Sequence, residues 1–423
     1  MVKGKVMLTF LLLNVILLLV FSTFALSKIV DVRFRSSGVI KVYPGQSIKA
    51  ALNSVSDGGT ILIKSGNYLE SNIVVNKTVT IVGENAETTV IDGGGTAEYI
   101  FFVIKRNVVI ENITIRNTDP TASSPAVYMY NVENVTLMNV IITDVFYGVQ
   151  IRSSNFTKIT YNRISESFNS GVYVHGKSYN NTIAKNTLTN NPTAIRIASG
   201  TCQFNRIYHN NFINNTDGEG YQVINHGVHT VFDDGYPSGG NYWSDHVASD
   251  LRSGPDQEDV GSDGILDEGY PDPYSLWDRY PLVHPITNVE VIADENRFMV
   301  QVSTNSTLTG YDFNQSAKSL TLFIDGTPNT NGSCRVAVPK ELLSSESPYD
   351  WIIIVYNGDC GQAISYWASE DSRSTYFYFT YSHSPAWKIE IVVAEPVTLT
   401  TLIFLAVAVT LIIFGKGLKQ EKR

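Results

Sequence analysis

Apolar and polar residues alternate over short stretches through the middle of the chain, as in Val149-x-Ile151 and Val172-x-Val174. A period of two is the signature of a strand with one buried face, and the stretches are too short for helices. They also recur. Ala126-Val-Tyr-Met, Gly148-Val-Gln-Ile, Gly171-Val-Tyr-Val and Ala194-Ile-Arg-Ile follow one another at 22 or 23 residues. A second phrase keeps step, with asparagine at Asn112, Asn139, Asn162, Asn186 and Asn210, successive members 27, 23, 24 and 24 residues apart. Self-similarity at this period marks a solenoid, in which each unit buries its apolar side only against its neighbours. A leucine-rich repeat needs Leu-x-x-Leu-x-Leu followed by Asn or Cys, which is absent, so two or three short strands per coil of a parallel β-helix fit better. Asparagine suits the corners because it tolerates left-handed backbone. Stacked coils are expected to align all five asparagines as one structural amide ladder.

The pattern changes at both ends of the repeat. Ile48, Ala51, Leu52 and Val55 form a single apolar stripe, predicting a helix over 46–56 that caps the open end of a solenoid spanning 40–286. After Pro285, alternating stretches such as Phe298-Met-Val-Gln-Val, Trp351-Ile-Ile-Ile-Val-Tyr and Thr375-Tyr-Phe-Tyr-Phe-Thr predict an all-β sandwich-like domain over 288–391. The class is therefore all-β. At the N-terminus, Lys3 and Lys5 precede an apolar run and small residues near Ser27, the layout of a secretory signal peptide over 1–27 or of an uncleaved anchor. Residues 397–414 are almost uninterruptedly apolar and lead into the basic tail 415–423, predicting a transmembrane helix with the tail in the cytoplasm and the body outside. The expected location is the cell surface, as a single-pass membrane protein.

Composition narrows the chemistry. A net charge of -9 without clustered Lys and Arg excludes a nucleic-acid partner. Three cysteines are present, of which Cys334 and Cys360 are close enough in sequence for a disulfide in an oxidising space, leaving Cys202 free. Glycosylation sequons begin at Asn76, Asn134, Asn155, Asn180, Asn214, Asn305, Asn314 and Asn331; Asn112 also heads one but is expected inside the ladder. Acidic residues crowd the terminator over 233–282. There Asp259, Asp263 and Asp267, with Gly264 for a sharp turn, are candidate ligands of Ca²⁺ as a cofactor, against a solvated acidic loop. Tyr270 stands where an EF-hand would place its bidentate Glu, which excludes a strict EF-hand. Tyr242, Trp243 and Trp277 are expected to plug the end of the solenoid rather than to form a sugar platform.

The opening Gln46-Ser-Ile, Asp57-Gly-Gly-Thr-Ile, Gly66-Asn-Tyr and Thr80-Ile-Val-Gly resembles pectin-lyase-like right-handed parallel β-helix proteins. The coils, Gly240-Asn-Tyr-Trp-Ser-Asp245, Gly261-Ser-Asp-Gly-Ile-Leu-Asp267 and Asp278-Arg-Tyr-Pro-Leu282 are similar to NosD-like proteins of the carbohydrate-binding and sugar-hydrolysing repeat group, of the archaeal cell-surface type. The likeness runs from about Val42 to Pro285. It implies a polysaccharide or glycan partner, and for some such families catalysis. Glycoside hydrolysis needs two carboxylates at one bond, and Asp233-Asp234 is the sole adjacent pair near the coils, without the Gly-His-Gly of polygalacturonase-like chains. Arg152, Arg163 and Arg196 are the candidate lyase bases, but their coils offer only Asp144 and Glu166, and His175 is isolated. Copper delivery, which the NosD name suggests, needs clustered His, Met or Cys, and only His226 and His229 pair closely. The leading expectation is a non-enzymatic surface β-helix that binds glycans. A cross-coil lyase or hydrolase and a structural or adhesive envelope protein compete with it. Aromatic residues aligned on a flank without acids would favour binding, and carboxylates beside an Arg or Lys would favour catalysis.

Overall fold

The computed structural model describes residues 38–216, 220–271, 277–358, 360–383 and 387–394. The signal segment 1–27, the apolar segment 397–414 and the tail 415–423 lie outside them. Among the described residues no helix is long and apolar enough to cross a membrane.

The solenoid has three parallel sheets of eight, seven and eight strands, each strand pairing with its counterpart one coil away. The first sheet starts with Val39–Val42 and ends with Arg206–Tyr208; the second runs from Ile73–Val75 to Val223–Asn225; the third runs from Gly66–Leu69 to Tyr242–Trp243. Alternation sends every second side chain inward, so coil stacking makes continuous apolar columns. Ile81, Ile110, Leu137, Ile159, Ile183 and Ile207 align in the first sheet, all fully buried. In the third, Ile91, Ile115, Ile142, Ile164 and Leu188 continue into Phe212 and Trp243. Aromatic rings fill the last rungs, where no further coil covers the core. Trp243 stacks on Tyr270 at 4.0 Å, which seals that end; the side chain of Trp277 lies outside the described residues. At the other end helix α1 (Ile48–Ser54) buries Ile48, Ala51 and Leu52. Ser47 caps it, and Glu70 accepts bonds from Ile48 N and Lys49 N in the first turn, where amides have no helical partner.

The asparagines form two columns rather than one. Asn139 aligns with Asn112, and its amide donates to Asn112 Oδ1 at 2.8 Å, but one coil later its register partner is Tyr161, not Asn162. The Asn112 column continues through Tyr161, Lys185 and His209, every member with positive φ. Asn162 sits one residue further on, where the earlier coil has Val140. There Asn162, Asn186, Asn210 and Asn241 are buried, and each side-chain amide donates to the next at 2.9–3.0 Å. The spacing of 23 between Asn139 and Asn162 is the mark of this one-residue slip. Two further ladders fill the other corners, Asn181 to Asn205 and Asn191 to Asn215.

After the solenoid, two five-stranded antiparallel sheets pack face to face around a core that includes Val300, Leu322, Ile353, Phe377 and Ile391. The first strand is Ile286–Ala293 and the last Trp387–Val393. The expected disulfide is not formed. Cys334 is buried in one sheet opposite Phe379, and Cys360 is exposed on a hairpin of the other sheet opposite Asn357; both are free, as is buried Cys202. The sandwich is fastened to the solenoid by Asn211, which exchanges two hydrogen bonds with the backbone of Ile286, and by buried Arg335, which donates to the carbonyls of Pro237 and Ser238.

Candidate functional site, an aromatic flank beside an acidic terminator

The outward positions of the second sheet carry rings. In one column Val74, Phe102, Tyr128, Gln150, Tyr173 and Arg196 are register partners, and in the next Tyr130, Arg152 and His175. Strand pairing forces this alignment, since successive coils repeat the same in/out phase. Phe102 and Tyr128 stack at 5.1 Å, Tyr147 and Tyr173 at 5.0 Å, and Tyr173 and His175 at 4.6 Å. The Arg152 guanidinium lies 5.5 Å over the Tyr130 ring and donates to Tyr128 Oη. Gln150 donates to His175 Nε2 at 2.9 Å. Burial, aided by the positive charge of Arg152, lowers the His175 pKa to about 4, so the imidazole is neutral at pH 7 and able to accept that bond. Tyr99, Phe102, Tyr128 and Gln150, together with Glu98 from outside the two columns, edge a shallow cleft of about 230 Å³. Neither column contains a carboxylate, so a general acid facing a second carboxylate cannot be assembled on them. Half-buried rings with hydroxyl and amide rims are suited to stacking on flat, polar-edged ligands.

The acidic terminator is built differently, because its carboxylates are used within the fold. Asp278 is fully buried and accepts from Asn241 N at 2.7 Å, Trp243 Nε1 at 2.9 Å, Asn241 Nδ2 at 3.2 Å and Tyr280 N at 3.2 Å. It thereby ends the buried amide chain on an acceptor. Asp245 does the same for another corner, accepting from Gln222, which itself receives the Asn215 amide. The Asn-Tyr-Trp-Ser-Asp phrase is thus the last rung, the plug and a ladder end in five residues. Asp233 pairs with Arg279, and Asp234 is held between Arg206 and Arg373 at 2.6 Å each, so the pair singled out for hydrolysis is spent in ion pairs.

The three candidate calcium ligands do not converge. Asp267 accepts from Leu251 N and Arg252 N, buried Asp263 accepts from Ile265 N and Gln257 Nε2, and Asp259 lies exposed in a short strand paired with Ser253. Asp250, not singled out from sequence, caps the turn by accepting from Asp263 N and Gly264 N. Burial is the largest influence on Asp250 and Asp263 and raises their pKa values to about 7 and about 6, with the Arg335 guanidinium pulling Asp263 back down. Larger clefts of about 370 and 580 Å³ lie between solenoid and sandwich. In their walls Arg373 pairs with Asp234, Lys340 with Glu370 and Arg163 with Glu87, and Lys185 and Glu341 line them as well.

Of the sequons, Asn155 is buried and accepts from Tyr179 N, which removes it as an exposed acceptor. Asn134 donates to Asn107, and Asn305 donates to the Asn331 carbonyl. Asn76, Asn180, Asn214, Asn314 and Asn331 are exposed. The sequence reading missed the aromatic flank, although the middle residue of each Val-x-Ile phrase, read coil against coil, spells Tyr128, Gln150, Tyr173 and Arg196. It left His175 isolated, whereas the residue ends a strand and is bonded to Gln150.

Fold and flank together define a parallel β-helix protein with an aromatic side and a sealed end. The profile of the NosD family, described as periplasmic copper-binding protein, matches residues 36–248, half of the 423 residues, and the chain belongs to that family. No curated protein matches the sequence. Among solved structures the chain is similar to the alginate lyase of Paenibacillus sp. str. FPU-7, at 14% identity over 46% of this chain and 74% of that one, TM-score 0.37. It is also similar to pectin methylesterase PemA of Erwinia chrysanthemi, at 16% identity over 41% and 70%, TM-score 0.25. The catalytic domain of a GH87 alpha-1,3-glucanase matches at 15% identity over 53% and 49%, TM-score 0.32. The family's copper does not fit the side chains present. Among the described residues no three His, Cys, Asp or Glu converge on one point. His229 stacks on Phe204, His209 is buried against Ser238, the Cys202 thiol faces the Gly176 carbonyl, and Met129 is core.

Proposed function

We propose that the protein binds glycan chains along the aromatic flank of its solenoid, without catalysis, at the cell surface, with the apolar segment 397–414 as its membrane anchor. The observation that supports this reading is the two outward columns of aromatic, amide and guanidinium side chains with no carboxylate among them. Each coil advances the columns by about 4.8 Å, so a chain laid along the axis meets successive rungs in turn. The rings, stacked on one another along the axis, turn their edges to the ligand, and Gln150, Arg152 and the tyrosine hydroxyls supply hydrogen bonds to ligand hydroxyls. A glycan array followed by calorimetry tests it. Tyr173→Ala and Tyr128→Ala are each expected to weaken binding about tenfold, the effect of removing an aromatic anchor, while the melting temperature changes little. An array with no hits sinks the proposal. Release of reducing ends or unsaturated products from any bound polymer sinks its non-catalytic part.

A further inference from the structure

A different corner of the solenoid carries a feature that the flank does not explain. Asn107, Asn134, Phe156, Asn180, Phe204 and His229 occupy equivalent positions in successive coils, and all have positive φ, between 54° and 57°. Asparagine enters this backbone region readily, whereas a phenyl-bearing residue does so against steric resistance. Phe156 and Phe204 are also each 51% exposed. Strained backbone and solvated rings both weaken a fold, and neither ring belongs to the apolar core. Members of this column reach one another along the axis: Asn134 Nδ2 donates to Asn107 at 2.7 Å, and Phe204 stacks on His229 at 5.0 Å and 14°. Phe156 and Phe204 are two coils apart, about 10 Å at a coil step of ~4.8 Å. Between them stands only Asn180, exposed and too short to bridge the gap. From Phe156 to His229 the column thus carries a ring on every coil but one, and the exception is the asparagine of Asn180-Asn181-Thr182.

We infer that Asn180 is an N-glycosylation site whose first sugar fills the gap between Phe156 and Phe204. In the modification, Asn180 Nδ2 forms a bond to the anomeric carbon of a sugar carried on a lipid-linked phosphate donor. The anomeric C–O bond breaks, the phosphate leaves with the electron pair, and the amide loses one proton to the transferring enzyme. The attached pyranose then lies about one coil step from each phenyl ring and covers both. The other sequons lack this setting: Asn155 is buried, Asn134 and Asn305 each donate to a neighbour, and the exposed Asn76, Asn214, Asn314 and Asn331 lie outside this column. The inference rests on export of the body of the chain, and the exposed sequon at Asn314 in the sandwich reports export independently.

Peptide mapping by mass spectrometry of the full chain purified from its natural source is the test. The expected result is a glycan mass on the Asn180 peptide. In that material Asn180→Gln is expected to lower the melting temperature by about 2–4 °C, the shift of a modest local loss in a domain of this size. The loss should vanish when Phe156→Asn and Phe204→Asn are also present, since the sugar then has no rings to cover. An unmodified Asn180 beside a modified Asn314 overturns the site assignment. Absence of sugar on every sequon overturns it together with the exported reading, and an undiminished loss in the triple variant overturns the stacking.

Discussion

The aromatic flank and the acidic terminator place their polar chemistry in opposite ways. On the terminator, carboxylates that look like ligands or catalysts are consumed inside the fold: Asp278 by four N–H donors, Asp267 by two backbone amides, Asp234 by two arginines. On the flank, groups that look like ordinary strand residues stand outward with capacity to spare. A buried carboxylate must be compensated or it is costly, so an acid-rich segment that closes a solenoid end is forced into internal pairing. Rings on an outer sheet face meet no such demand. Density of titratable residues in sequence therefore points to where the fold needs acceptors, and the flank proposed for binding lies where those residues are scarce.

Replacing the end of an amide chain should produce the largest effect. Asp278→Ala orphans buried donors of Asn241 and Trp243, each worth about 1–3 kcal/mol, and is expected to lower unfolding free energy by at least ~3 kcal/mol in denaturant titration. A loss below 1 kcal/mol would show that water replaces the carboxylate and that the terminator is open after all. A smaller contrast separates the two asparagine columns. Asn186→Ala breaks a buried rung and is expected to cost about 1–3 kcal/mol, whereas Asn139→Ala on the exposed column should cost well under 1 kcal/mol. Equal losses at the two positions would restore the single ladder that the spacing alone suggests.

The smallest effect is a pH slope. Folded pKa values of about 7 for Asp250 and about 6 for Asp263 lie above the 3.8 of a free aspartate, so their contribution is complete below pH 3.8 and lost as pH rises through 6–7. His209, lowered to about 4 by burial, acts oppositely: its contribution is present above 6.5 and lost as pH falls toward 4. Asp250→Asn is expected to flatten the fall in melting temperature between pH 5 and 8. A slope identical to that of the parent protein would remove Asp250 from the account.

Much of the architecture was legible in the sequence. The stripe Ile48, Ala51, Leu52 and Val55 marked the cap helix because a four-residue set at helical spacing has one way to be buried. The Val-x-Ile phrases marked strands because alternation requires a two-sided sheet, and their period marked coils. The candidate site was legible only in part. Gln150 and Tyr173 are 23 residues apart in sequence and become neighbours only when one coil is laid on the next. Asn241 was missed as a rung because the chain makes a long excursion before returning to the ladder, and Asp278 because its donors come from residues 35 and 37 positions earlier.

Repeat period, strand phase and the apolar stripe are local properties, and the sequence by itself determined them through side-chain sterics and burial. It also determined the all-β class. Only the tertiary structure decided which of two adjacent corner positions each asparagine occupies, since a one-residue change in turn length moves a side chain from a solvated left-handed corner to a buried rung. It likewise decided that the acids close a cap while the rings gather on a flank, because both outcomes depend on which coil stacks on which. Register between coils is a long-range property, fixed by the packed core as a whole and by no single stretch of chain.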